Sequence, residues 1–132
     1  MQITRQADYA IRAVRYLAKQ GSDQRVATST VAREMQIPAS FLAKIISQLS
    51  IAGLLHTSRG ARGGVSLARD SKEISLLDVV EAIDGPILLN ECVGDPGGCP
   101  FTDDCPVHPI WIDTQQVLVD RLRKTTFTSL MK

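Results

Sequence analysis

Two helix-forming stretches separated by a short break, Gln36-Ile37-Pro38, constrain this chain more than any other feature. Pro38 biases Ile37 away from helical geometry. The helix begun by Thr28, spanning Ser29 to Met35 at most, therefore has to end there. A further helix runs from about Ala39 to Ala52, with Leu42, Ile45, Ile46 and Leu49 in one apolar stripe, and closes at Gly53. A short helix, a tight turn and a helix of three to four turns form the helix-turn-helix pattern, whose second helix enters the major groove of DNA. Leu54 to Ser58 then reads as a strand, Arg59 to Gly64 as a glycine-rich turn, and Val65 to Ala68 as a returning strand. A β-hairpin wing thus follows the recognition helix directly.

The flanking segments are helical. Thr4 can cap a helix from about Arg5 to Gln20 that Gly21 ends; Ala7, Ala10, Ile11, Val14, Leu17 and Ala18 form its buried face. Arg25-Val26-Ala27 reads as a short strand. Ser75, with Asp78 three residues on as a partial capping box, opens a helix rich in Leu and Val that Gly85-Pro86 stops. From about Pro109 a long helix runs to Lys124. Its stripe of Ile110, Trp111, Val117, Leu118 and Leu122 needs a partner, and a two-fold homodimer through this helix would let the protein read two half-sites. The expected architecture is mainly α: a winged helix-turn-helix over 1–69, then a cysteine loop and dimerisation helices over 70–132, in one compact domain. Residues 125–132 either form a last capped turn or stay unstructured.

The net charge of +1 averages two unlike halves. Residues 1–69 carry ten Lys and Arg against three Asp and Glu; residues 70–132 carry five against eleven. A basic half suits a surface facing phosphates. On it, Thr28, Ser40, Phe41, Lys44, Arg59 and Arg62 are the candidate DNA-contacting residues. Ser40 and Lys44 lie one turn apart at the start of the recognition helix, and the two arginines sit at the tip of the wing, where they can enter a minor groove. His56, Tyr9 and Trp111 read as strand or packing residues. No apolar run reaches the ~18 residues of a membrane span, so no membrane partner is expected, and the charged N-terminus lacks the pattern of a signal peptide. The expected location is the cytoplasm. No nucleophile–base pair or phosphate-binding loop is visible, so an enzyme is not expected.

All three cysteines fall between Glu91 and His108, in a stretch broken by Gly94, Pro96, Gly97, Gly98, Pro100 and Pro106. An odd number of thiols excludes a fully paired disulfide framework within one chain, and in a reducing compartment clustered cysteines bind metal or sense redox. Three readings stay open from the residues alone: an iron–sulfur cluster, redox-active thiols, and a structural zinc held by three cysteines and a histidine. Gaps of six and five residues between the cysteines are wider than usual for zinc. A small iron–sulfur electron carrier is a further alternative, but it leaves the wing and the basic half without a purpose.

Taken together, ITRQADYAIRAVRYLA, PASFLAKIISQLSIAGLL, TSRGARGGVSLAR, ISLLDVVEAIDG and the three-cysteine loop resemble the Rrf-two-type winged-helix transcription regulators, the IscR/NsrR/RirA-like iron–sulfur family, over about residues 1–125. The resemblance implies a homodimer that acts as a repressor on a palindromic double-stranded operator, and a two-iron or four-iron cluster held by Cys92, Cys99 and Cys105. It also implies a fourth ligand that is not cysteine. His108 matches the position of a histidine ligand in the IscR type. Asp8 matches the position of an aspartate that some nitric-oxide-sensing members recruit from the other subunit. His108 is the first choice, because it is local and Pro106 and Pro109 restrict the backbone around it, while an oxygen ligand suits iron less well beside soft sulfurs.

Overall fold

The computed structural model describes residues 2–61 and 63–131. Six helices and one hairpin follow in order: α1 (Arg5–Gln20), α2 (Thr28–Met35), α3 (Ala39–Ile51), β1 (Leu55–Ser58), β2 (Gly64–Leu67), α4 (Leu76–Asp84), α5 (Glu91–Gly94) and α6 (His108–Lys124). Short 3-10 turns at Ser71–Glu73 and Pro96–Gly98 complete the path. The architecture is the mainly helical one expected, with a two-stranded wing and a long C-terminal helix.

Local chemistry explains the boundaries. The Thr4 hydroxyl accepts the Ala7 N–H at 3.1 Å and starts α1. Ala27, not Thr28, occupies the cap position of α2, and no side chain caps that end. α2 closes with Gln36 in the left-handed region (φ 54°), while the Ile37 N–H reaches the Ala32 carbonyl at 3.0 Å. A non-glycine residue tolerates that conformation at a cost of about 1–2 kcal/mol, offset here by burial of Ile37 in the core. Ser75 and Asp78 make the complete capping box, at 3.0 and 2.9 Å, where the sequence suggested a partial one. The last helix starts at His108, one residue before the expected Pro109.

The hairpin pairs Leu55 with Leu67, His56 with Ser66, Thr57 with Val65 and Ser58 with Gly64. The expected strand at Arg25-Val26-Ala27 reduces to a single bridge between Val26 and Val65, closed by hydrogen bonds of 2.9 and 2.8 Å. Gly64 allows this approach: a Cβ there would run into the Val26 carbonyl oxygen. Leu54 lies before the strand rather than in it, buried, with its N–H on the Leu49 carbonyl at 2.9 Å.

Ala10, Val14 and Leu17 of α1, Val31 of α2, Leu42, Ile45 and Leu49 of α3, and Leu54, Val65 and Leu67 around the wing build the main core. Ile74, Val79 and Phe127 belong to the same core. The C-terminal tail is therefore ordered. Phe127 is fully buried, its N–H donates to the Ile74 carbonyl at 3.0 Å, and the Leu76 N–H donates to the Thr125 carbonyl at 2.8 Å. The Arg15 Nε donates to the Leu130 carbonyl at 2.9 Å. Burying one such aromatic contributes about 1.5–3 kcal/mol. A second, smaller core of Leu77, Val80 and Ile87 receives Leu118, Val119 and Leu122 of α6. Among the described residues, no helix is long and apolar enough to cross a membrane.

Candidate functional site

The helix-turn-helix presents Thr28 at the start of α2 and Ser40, Phe41 and Lys44 on the first turns of α3, all four exposed. Leu42, Ile45, Ile46 and Leu49 turn the opposite side of α3 into the core. Arg59 is exposed at the wing. Arg62, the second arginine expected there, lies outside the described residues. His56 is exposed on β1 across from Ser66.

Two residues of α1 brace this surface. The Arg12 Nη1 donates to the Met35 carbonyl at the end of α2 at 2.9 Å, and its guanidinium lies 5.2 Å from the centre of the Tyr9 ring. Tyr9 in turn meets Phe41 edge-on, with ring centres 6.0 Å apart. Phe41 is thus held against α1 while still 41% exposed, so it keeps a free face beside Ser40 and Lys44. Sequence reasoning assigned no role to Arg12. The one available signal was its position four residues after Asp8, with which it forms an ion pair of 3.1 Å.

The cysteine segment builds a second site. Asn90 caps the single turn of α5 by accepting the Glu91 N–H at 2.8 Å, which places Cys92 on that turn. After the Pro96–Gly98 turn, the Cys99 carbonyl accepts the Thr102 hydroxyl at 3.1 Å. The Cys105 carbonyl accepts the His108 N–H at 3.3 Å, at the start of α6. Through these turns Cys92, Cys99, Cys105 and His108 line one cavity of about 150 Å³, with Thr102 and Trp111 also in its wall. The three cysteines are free thiols, Cys92 buried and the other two half-buried. The His108 Nδ1 is buried with no hydrogen-bond partner among the described residues. Buried polar atoms are normally paired, so an orphaned imidazole nitrogen beside three thiols suits a metal-binding group.

As they stand, no three His, Cys, Asp or Glu side chains among the described residues are arranged to hold one metal ion. Tetrahedral zinc with Zn–S bonds of about 2.3 Å draws its sulfurs to within roughly 4 Å of one another. The ligands of a polynuclear cluster bind different irons and stand further apart. Three thiols and an imidazole are a donor set that both zinc and an iron–sulfur cluster accept. Asp8 lies elsewhere in the chain, in an open groove with Thr4, Arg5, Tyr9 and Arg12. It does not line the cysteine cavity of its own chain.

The stripe expected to form a dimer divides between two faces of α6. At about 100° per residue, His108, Trp111, Leu118 and Leu122 share a face that turns toward the protein, where Leu118 and Leu122 pack on the smaller core. Ile110 and Val117 lie on another face, 57% and 71% exposed.

Comparison with known proteins places this combination. Residues 3–132 match the family model described as Rrf2, iron-dependent transcriptional regulator. The chain belongs to the Rrf2 family. A helix-turn-helix transcriptional regulator of Mycobacterium tuberculosis is 40% identical over 98% of this chain and 81% of its own length. The regulator IscR of Klebsiella pneumoniae is 29% identical over 99% of this chain and 80% of its own length. The structure of CymR, the global cysteine regulator of B. subtilis, superposes with a TM-score of 0.80 at 24% identity, covering 99% of this chain and 96% of that one. This Rrf2-family chain is a DNA-binding transcription regulator and not an enzyme. Its fold is shared with a regulator described by cysteine as well as with IscR, so the fold alone does not choose the signal.

Proposed function

We propose that this regulator senses through an iron–sulfur cluster held by Cys92, Cys99, Cys105 and His108, and that the state of the site sets its affinity for a palindromic operator. One observation carries the reading: three free thiols and a buried, unpaired imidazole nitrogen line a single cavity. The family's iron-dependent description supports it. Bound there, a cluster supplies a centre that responds to iron supply, oxidation or nitric oxide.

The chain's own residues do the rest. Cys92, Cys99 and Cys105 come from three separate turns, so holding all of them at once orders the 91–108 segment. His108 ties that segment to the first turn of α6. The other end of α6 leads to Phe127, which is packed among α1, α3 and the wing. An ordered loop is thereby connected through one rigid helix to the part that reads DNA.

In this reading residues 1–69 contact the operator, through Ser40, Phe41 and Lys44 in the major groove, Arg59 and Arg62 from the wing, and Thr28 at the phosphates. Residues 70–132 sense and dimerise, with Ile110 and Val117 as the outward contacts between two copies. A second reading is a thiol switch in the same cavity, favoured by the free state of all three cysteines. Iron and acid-labile sulfide analysis of anaerobically purified protein, with its absorption spectrum, separates the two. Stoichiometric iron and sulfide, lost on replacing any one cysteine by Ala, supports the cluster. Protein free of both supports the thiol switch.

A further inference from the structure

We infer that Gln115 is a positioning residue, clamping the chain just ahead of the cysteine loop onto α6 so that Cys92 and His108 face one cavity. Its side-chain Oε1 accepts the Leu89 N–H at 2.8 Å, and its Nε2 donates to the Ile87 carbonyl. One amide side chain thus pairs with both a donor and an acceptor of the 87–89 backbone, as a neighbouring strand would. That backbone needs a partner, because the segment between α4 and α5 belongs to no helix or strand. Ile87, held by the clamp, is buried in the smaller core.

The spacing gives the clamp its consequence. Gln115 lies seven residues after His108 and four after Trp111, so at about 100° per residue all three share one face of α6. His108 and Trp111 line the cysteine cavity. Cys92 lies three residues beyond Leu89. Gln115 therefore sets the register between the strand-like approach to Cys92 and the helix that carries His108. Its purpose in this account rests on the cluster reading, but the clamp itself can be tested without a cluster.

The test uses Gln115→Met, which keeps the side-chain length and removes both hydrogen bonds, and Gln115→Glu, which keeps an acceptor for Leu89 and loses the donor to Ile87. In cluster-free, reduced protein, alkylation by N-ethylmaleimide is followed at each cysteine by mass spectrometry. Cys92, buried in the wild type, should react about tenfold faster in Gln115→Met, with a smaller increase in Gln115→Glu. Cys99 and Cys105, already half-buried, should change less. Cluster-loaded Gln115→Met should lose its absorption to a chelator about tenfold faster than the wild type. Cys92 reactivity equal to wild type in a folded Gln115→Met protein would overturn the clamp. If Gln115→Met does not fold, amide exchange in the wild type decides: the Leu89 N–H should exchange at least about tenfold more slowly than that of exposed Leu88, and equal rates overturn the proposal. Wild-type protein that takes up no cluster would refute the cluster reading and leave the alkylation result to decide the clamp.

Discussion

In α3, Leu42, Ile45 and Leu49 are buried against α1, α4 and the wing, whereas none of the described residues of α6 is buried, although the helix carries Ile110, Trp111, Ile112, Val117, Leu118 and Leu122. Both helices have enough apolar residues for a buried stripe. α3 spends its stripe on the fold and offers the remaining face, Ser40, Phe41 and Lys44, to solvent. α6 divides its apolar residues, leaning Leu118 and Leu122 on the smaller core and leaving Ile110 and Val117 outside. The fold of one chain is complete without that outer face. In the proposed reading a second copy covers it.

The largest test of this contrast is at the anchor between the two regions. Phe127→Ala should destabilise the chain by about 3–5 kcal/mol, read as a lower urea midpoint at unchanged slope. A loss below about 1 kcal/mol would mean that the tail does not tie α6 to the winged helix. Next comes the outer face of α6. Val117→Asp should weaken self-association by roughly a hundredfold, about 2.7 kcal/mol, so sedimentation shifts from dimer to monomer while far-ultraviolet dichroism is retained. A wild-type protein that sediments as a monomer at micromolar concentration would break the comparison at this point.

Smaller effects sharpen it. Arg59→Ala should cost about 1–3 kcal/mol of operator affinity at fixed salt and relax specificity at one position. Unchanged affinity would remove the wing from DNA reading. Ser75→Ala removes half of the capping box of α4 and should cost about 1 kcal/mol of stability, with no change in operator affinity beyond that. A loss of operator affinity larger than the loss of stability would show that α4 belongs to the recognition machinery.

The winged helix was legible because its signals are local. Thr4, Gly21, Pro38 and Gly53 punctuate helices whose apolar residues recur at three- and four-residue spacing, and Gly63-Gly64 marks the return of the hairpin. The tail was less so: Phe127 stands alone among polar neighbours, and only the tertiary fold shows that it fills the main core. The stripe on α6 was read as one face, but Ile110 and Val117 lie about 100° around the helix from Trp111, Leu118 and Leu122. Apolar spacing identifies a helix more securely than it says which neighbour each residue meets. The cysteine site was legible in its composition. The sequence could not show that turns at Asn90, Cys99 and Cys105 gather the donors at one cavity, nor that Gln115 and Arg12 brace the elements around the two sites, because those bonds join residues distant in sequence or depend on backbone geometry.

The most direct test of the sensing account compares His108→Ala with Asp8→Ala by absorption and Mössbauer spectroscopy of anaerobically purified protein. Cys92, Cys99, Cys105 and His108 share a cavity, while Asp8 pairs with Arg12 away from it. The account predicts cluster iron in the wild type, loss or destabilisation of the cluster in His108→Ala, and a wild-type spectrum in Asp8→Ala. A spectrum altered by Asp8→Ala and untouched by His108→Ala would contradict it and move the fourth ligand to the first helix of a second chain.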